Sequence, residues 1–481
     1  MFTVSRSHGS KHFWYISRRH QSSTILRTSN TLKKPQFDLK HYNESVSEYI
    51  DICKKRNVQY PLGSDFTSLY QTFVETQKSV LDLKKEINYT QHALTTLKVK
   101  QKKENVDNAN DQTELIHKIS SLKPKLKDLE ENCTEIENEI TTKVDQLPNL
   151  IHPSVQSKQI LLQYLNPIPE LLAPNLIEDY PLSADPQFDH KGIMESMGLV
   201  EFNQATKISG RGWYYLLGDA ALLEQALIQY SLKLARKAGF KMILPPSIVK
   251  TDVTSACGFK PRDTNNERQV YELTHDQLCL TGTAEIPLAA LQINKEFSVS
   301  DLPHRLVGLS RSYRAEAGSA GRDTRGLYRV HEFTKVELFS WTHGSEEESE
   351  KEFEKIVNFQ KQFVESLGLT ARVLVMPYDD LGAPAYKKID IEVLMPGRGT
   401  WGEVSSTSNC LDYQSRRLTT KFRDPISKKL KYTHTLNGTA CAIPRVIVAI
   451  VENFYDPNSN SILIPEVLRP YMDDKERIYK Q

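Results

Sequence analysis

The sequence predicts an α+β fold: a largely antiparallel sheet flanked by helices, preceded by an antiparallel helical coiled-coil arm. Three observations carry this. Two heptad seams with a polar turn between them lie between about residues 64 and 147. From about residue 188, short apolar runs of strand type alternate with amphipathic helices. No Gly-x-Gly-x-x-Gly follows a predicted strand and no Gly-x-x-x-x-Gly-Lys-Ser/Thr occurs, so the two common phosphate loops of parallel-sheet nucleotide binders are missing.

The first 37 residues carry Arg6, Lys11, Arg18, Arg19, Arg27, Lys33 and Lys34 and no acid. A cationic, Ser-rich, acid-free N-terminus has the composition of a mitochondrial transit peptide, with a basic disordered tail as the plainer reading. Without it the chain holds 55 basic and 60 acidic residues, so overall positive charge cannot be what holds a partner.

The first seam is Phe66, Leu69, Phe73, Thr76, Val80, Leu83, Ile87, Thr90, Leu94 and Leu97. The second is Leu115, Ile119, Leu122, Leu126, Leu129, Cys133, Ile136, Ile140, Val144 and Leu147. Residues 102–111 supply the turn, Pro124 should kink or interrupt the second helix, and Pro148 should end it. Charge is polarised along the hairpin. Residues 78–127 hold eleven lysines against six acids, whereas 64–77 with 128–145 hold one lysine against nine acids. Ordinary solvated flanks explain such charges, but lysines gathered on a protruding tip also suit a phosphate backbone.

A proline-bearing linker is expected over 151–187. Beyond it, 219–238 and 346–367 read as helices. Residues 278–280, 305–309, 328–330, 335–339 and 372–375 read as strands. The longest apolar run, 441–451, is broken by Pro444 and Arg445 and falls short of the ~20 residues a membrane span needs. Cys53, Cys133, Cys257, Cys279, Cys410 and Cys441 form no Cys-x-x-Cys pair, so neither a disulfide framework nor a zinc site is expected.

Three segments concentrate polar groups where a core would exclude them. They are Thr281 to Glu285; Tyr313 to Glu337, read as strand, Gly-rich loop and returning strand; and Glu403 to Ser406 with Asn437 to Arg445. Arg314, Arg329 and Glu337 should then face one surface from neighbouring strands. Arginines beside a glycine-rich hairpin with carboxylates between them suit an anionic ligand. Taken singly, Thr283 also reads as a strand hydroxyl, Glu285 as a helix N-terminal carboxylate and Thr439 as a helix cap.

From residues alone the reading stops at an anion site with acidic neighbours. The ordered stretch from Arg314 through Gly318, Arg322, Asp323, Arg325 and Tyr328 to Phe333 resembles motif 2 of class II aminoacyl-tRNA synthetases in its seryl form. Asn437-Gly438-Thr439 through Arg445 resembles motif 3, and residues 239–245 resemble motif 1. Residues 207–213 and 408–417 are similar to further stretches of the seryl-tRNA synthetase family. Thr439 stands where many relatives have Ser, and Pro444 where many have Gly.

The resemblance implies a class II synthetase fold and a serine–tRNA ligase that forms seryl-adenylate from serine and ATP, then charges tRNA(Ser). It implies a homodimer through motif 1, Mg²⁺ as cofactor without zinc, and no membrane partner; with the leader, it implies the mitochondrial matrix. The implied organisation is a transit peptide over 1–37, a tRNA-binding domain over 38–150, a linker over 151–187 and a catalytic domain over 188–481. Arg314, Arg445 and Glu403 are the implied catalytic residues. Thr283, Ala284, Glu285, Arg314, Glu337, Asn437 and Thr439 are implied to bind serine. Arg314, Ala315, Glu316, Val330, His331, Glu332, Phe333, Glu403, Val404, Ser405, Ser406 and Arg445 are implied to bind ATP, with Phe333 stacking on adenine and Glu403 and Ser406 holding Mg²⁺. On the arm, Lys84, Lys85, Lys98, Lys100, Lys102, Lys103, Lys118 and Lys123 are the expected tRNA contacts.

Overall fold

The computed structural model describes residues 32–104, 109–168, 184–259, 269–316 and 326–480. The leader to residue 31, the hairpin loop 317–325, residues 169–183 and the Lys103 side chain lie outside the described residues.

The arm follows from its seams. Two short helices, α1 (Leu39–Glu44) and α2 (Val46–Lys55), lead into α3 (Phe66–Glu104) and α4 (Ala109–Asp145). The 39 residues of α3 reach about 58 Å at 1.5 Å per residue. Phe66, Phe73, Val80 and Ile87 of one seam and Ile119, Leu122, Ile140 and Val144 of the other are buried. Pro124 does not interrupt α4; the helix runs through the proline. Pro124 is exposed while Leu122 beside it is buried, so the lost backbone hydrogen bond falls on the solvent side and the seam stays closed.

At its root the arm packs Tyr49, Ile52, Leu62, Phe66, Ile140 and Leu147 into a core of their own. Arg56 fastens this root to the rest of the chain. Its buried guanidinium donates to the carbonyls of Asn149 and Leu150 (both 3.0 Å), Leu381 (3.3 Å), Gly382 (3.0 Å) and Ala385 (2.7 Å). With carbonyls as its hydrogen-bond acceptors, burial lowers its pKa to about 10.

Eight described strands form the main sheet: β1 (Ile160–Leu165), β2 (Lys241–Ile243), β3 (His304–Tyr313), β4 (Glu332–Thr342), β5 (Ala371–Val375), β6 (Lys387–Met395), β7 (Thr400–Asn409) and β8 (His434–Ala442). Their spatial order is β1-β5-β6-β7-β8-β4-β3-β2. All neighbours are antiparallel except β2 beside β3. This is the largely antiparallel sheet that the sequence predicts.

Two local expectations fail. Residues 160–165, expected within a linker, are an edge strand, because their apolar run pairs with Ala371–Val375. Residues 328–330, expected as a strand, are a turn; the Tyr328 carbonyl accepts from Arg445 Nε at 3.2 Å instead of joining the sheet, and the returning strand begins at Glu332.

One sheet face is covered by helices α6 (Gly218–Lys237), α8 (Glu346–Ser366) and α10 (Ile443–Phe454), which close over Val307, Val336, Leu338, Ile391 and Val404. The opposite face, framed by α7 (Glu285–Ala290), α9 (Tyr413–Leu418) and the loop 381–385, is left for polar groups.

Candidate active site

On strand β4 the period of two places Phe333, Lys335 and Glu337 on the open face and sends Val336 and Leu338 into the core. Register sets Thr439 of β8 directly opposite Glu337. Thr439 Oγ1 donates to Glu337 Oε2 at 3.5 Å, and Lys335 Nζ meets the same carboxylate at 2.7 Å. Thr439 is therefore a strand residue, not a helix cap.

Strand β7 carries a bulge: Ser405 pairs with Ile391, and Glu403 with Glu392. The extra residue, Val404, changes the phase of the pleat. Glu403 and Ser406 consequently line the same cavity, while Ser405 turns inward and donates its Oγ to the Thr439 carbonyl at 2.6 Å.

Beyond the end of β3, Arg314 lays its guanidinium 5.3 Å from the centre of the Phe333 ring. Arg445, in the first turn of α10, donates through Nη1 to the Glu403 carbonyl at 3.0 Å and its Oε2 at 3.2 Å. Burial and the neighbouring Arg445 cation both depress the Arg314 pKa. Burial also opposes the charge on Glu403, yet Arg445, Lys388 and Arg314 outweigh it and bring that carboxyl to about 2. Arg329 pairs with Glu316 at 3.0 Å rather than joining Arg314 on a strand.

Two further carboxylates, Glu285 and Glu337, line the larger cavity. Glu285, in the first turn of α7, is buried and accepts from Gln414 Nε2 at 2.7 Å and Asn437 Nδ2 at 2.9 Å. Burial, and then the proximity of Glu337, push its pKa up to about 7. Thr283 Oγ1 accepts from the Glu285 amide at 3.3 Å.

These groups share a cavity of about 730 Å³ lined by Thr283, Glu285, Arg314, Glu337, Glu403, Ser406 and Asn437. An adjoining pocket is lined by Arg314, Glu316, Val330, Phe333, Glu403, Val404, Ser406, Thr439 and Arg445. Cations and carboxylates interleaved around these two adjoining spaces make them suited to a phosphate and an ammonium at once.

The N-terminal part, residues 37–151, matches the model of the seryl-tRNA synthetase N-terminal domain. Residues 269–454 match that of the tRNA synthetase class II core domain of the G, H, P, S and T enzymes. The mitochondrial serine–tRNA ligase of Saccharomyces cerevisiae is 45% identical over 465 residues, covering 95% of this chain and 98% of the relative. The chain belongs to the seryl-tRNA synthetase family. The mitochondrial serine–tRNA ligase of Schizosaccharomyces pombe is 40% identical over 413 residues, covering 83% of this chain and 79% of the relative. The structure of the Pyrococcus horikoshii seryl-tRNA synthetase complexed with ATP superposes with a TM-score of 0.79 at 31% identity, covering 93% of this chain and all of the other.

Several residues that the family resemblance implied do not line these cavities. Ala284 is fully buried behind them. The Ala315 amide bonds the Gln269 carbonyl. His331 stacks on Trp213 and bonds Tyr271, and Glu332 faces Arg311 on the other side of the strand. Sequence reasoning passed over Lys335 and Lys388. Lys335 was visible in the alternation Phe333, Lys335, Glu337. Lys388, between Asp380 (2.8 Å) and Asp390 (2.9 Å), carries no such signal because its partners come together only in the sheet.

On the arm, Lys84 pairs with Glu130 at 2.7 Å and Lys118 with Glu86 at 2.8 Å, across the two helices, and Lys85 pairs with Asp82. Lys98, Lys100, Lys102 and Lys123 are exposed, and among the described residues no carboxylate pairs with them.

Proposed function

We propose that this chain is a mitochondrial serine–tRNA ligase whose cavity activates serine with ATP. The observation that carries the reading is the pair of adjoining cavities: Arg445 lines one, Glu285 and Glu337 line the other, and Arg314 lines both. A serine carboxylate attacks the α-phosphorus of ATP, the bond to the β-phosphate bridging oxygen breaks, and seryl-adenylate and pyrophosphate form. The ribose hydroxyl at the tRNA(Ser) 3′ end then takes the seryl group and AMP leaves.

Arg314 holds the α-phosphate and the serine carboxylate, and Arg445 the γ-phosphate. Two cations pressed together by the fold lose their mutual repulsion when a polyphosphate arrives, and they stabilise charge that rearranges in the transition state. Glu285 takes the serine ammonium, while Glu337, with Thr439 beside it, takes the hydroxyl. Phe333 offers a ring face to adenine and Glu316 reads its amino group. No covalent enzyme intermediate is required, since positioning and electrostatics supply the catalysis. Glu403 and Ser406, brought to one face by the bulge and with the carboxylate held ionised, form an oxygen donor set that suits Mg²⁺. Bound there, Mg²⁺ would supply charge neutralisation on the phosphates.

The remaining assignments rest on the same family. Residues 38–150 are the tRNA-binding domain and 188–481 the catalytic domain, with 1–37 directing the chain to the matrix. Exposed Met242, Leu244 and Ile248 beside the edge strand β2 support a homodimer through this face. Among the described residues no helix is long and apolar enough to cross a membrane. Purified protein should exchange pyrophosphate into ATP only when serine is present. Exchange that is absent with serine, or that serves threonine or alanine equally, refutes the proposal.

A further inference from the structure

Among the buried ionisable groups that the proposed chemistry leaves unused is a cluster outside the cavity. His190, the first residue of α5 (His190–Ser196), and Glu452 near the end of α10 are both almost fully buried. His190 Nδ1 and Glu452 Oε1 are 2.7 Å apart. His190 Nε2 accepts the Leu327 amide proton at 3.2 Å. Glu452 Oε2 accepts from the amides of Gly397 (2.9 Å) and Arg398 (3.3 Å). With Asp189, these side chains have the spacing of a cation site. But every ring nitrogen and carboxylate oxygen of the His190–Glu452 pair is already engaged, so the cluster serves another purpose.

The hydrogen bonds define one tautomer. Nε2 receives a proton from Leu327, so the ring proton sits on Nδ1 and is donated to Glu452. The pair thereby ties α5 to three distant segments: α10, the turn at 397–398 and the returning end of the hairpin at Leu327. All three converge on Tyr328. The Arg398 guanidinium lies 3.5 Å from the Tyr328 ring centre and that of Arg445 lies 4.6 Å from it. Arg445 Nε also bonds the Tyr328 carbonyl. Close approach is built in at Gly326, whose φ is +73°; a Cβ there would come within 2.1 Å of His190 Nε2.

We infer that the His190–Glu452 pair is a positioning device for ATP: it anchors Leu327 and Tyr328 so that Arg445 is held ready for the terminal phosphate. This rests on the reading of Arg445 given above. Glu452→Gln is nearly isosteric yet incompatible with the wiring. An amide has one acceptor oxygen for two sets of donors. If its oxygen faces Gly397 and Arg398, its NH₂ forces the His190 proton onto Nε2, against the Leu327 N–H. If its oxygen faces His190, its NH₂ faces the two backbone amides.

Pyrophosphate exchange by the full chain tests this with Glu452→Gln, His190→Asn and His190→Gln, each alongside Arg445→Ala. Asn reproduces the Nδ1 position and loses the Leu327 acceptor, whereas Gln reaches the Nε2 position and keeps it. Glu452→Gln and His190→Asn should raise the KM for ATP about tenfold while the KM for serine stays within about twofold, and His190→Gln should lie closest to wild type. If Glu452→Gln and any His190 variant that folds lower the melting temperature but leave the ATP KM unchanged, the pair is packing only and the inference is wrong. Should Arg445→Ala lose exchange in that same experiment, the reading of the site survives and only the positioning role falls. Should Arg445→Ala retain exchange, both fall.

Discussion

Asn437 Nδ2 reaches across to Glu285 Oε1 at 2.9 Å, joining strand β8 to the start of α7 over 152 positions of sequence. The bond matters because Glu285 sits near its titration midpoint, about 7, at neutral pH. An ammonium binds the ionised carboxylate. The KM for serine should therefore fall as pH rises through about 7, and Glu285→Gln should flatten the profile while weakening serine binding throughout. The stability contribution runs the other way. A carboxyl raised in the fold stabilises it fully below the unfolded value near 4.5, and that contribution is lost as pH rises through about 7. Serine titrations between pH 6 and 8 decide the first point; a serine KM that is flat in the wild type removes Glu285 from the ammonium site.

Thr439 is the one neutral hydroxyl set against Glu337 by register. Thr439→Ala should reduce kcat/KM for serine about tenfold and leave the KM for ATP nearly unchanged. Its methyl also narrows the pocket, so discrimination against threonine should weaken in the same variant. Equal losses for both substrates in adenylate formation would count against this assignment.

Arg314→Ala and Arg445→Ala should each lower exchange roughly 10²–10³-fold or more, mainly in turnover, with the fold intact by circular dichroism. Wild-type exchange in either variant contradicts the mechanism.

The arm gives a prediction that separates the two half-reactions. Replacing residues 78–127 by a short turn should leave pyrophosphate exchange near normal and cripple aminoacylation. Within the arm, Lys98, Lys100, Lys102 and Lys123 should matter more than Lys84 and Lys118, which already spend charge on Glu130 and Glu86. Alanine at the former group should raise the tRNA KM and flatten its salt dependence, by about 0.9 in log–log slope for each phosphate no longer neutralised on a duplex-like segment. Full charging by the arm-deleted chain would make the arm a structural element.

Periodicity made the arm and the main helices legible before any coordinates, because an apolar seam of period 3.5 or 3.6 is a local property. The strand alternation Phe333, Lys335, Glu337 was legible for the same reason. What stayed hidden depends on long-range pairing. The bulge at Val404 that turns Glu403 and Ser406 to one side has no local signature, and neither does the edge strand at 160–165. Pro124 does not break α4 because a proline on the wet side of a long paired helix costs one hydrogen bond, which the buried seam outweighs. Tyr328 misled because its carbonyl is claimed by Arg445, 117 positions later.

The Arg56 clamp settles where this chain can be divided and exchanged. Its five carbonyl partners belong to residues 149–150 and to the loop 381–385, and Val58 beside it shares the cavity wall with Gly382 through Ala385. An excision confined to the outer arm spares all of these bonds. Removing residues 32–150 strips that loop of its donor and takes away a wall of the chamber. A chimera that grafts the N-terminal half of one relative onto the catalytic half of another must carry loop 381–385 with the graft. The interchangeable module is the arm, its root and that distant loop together.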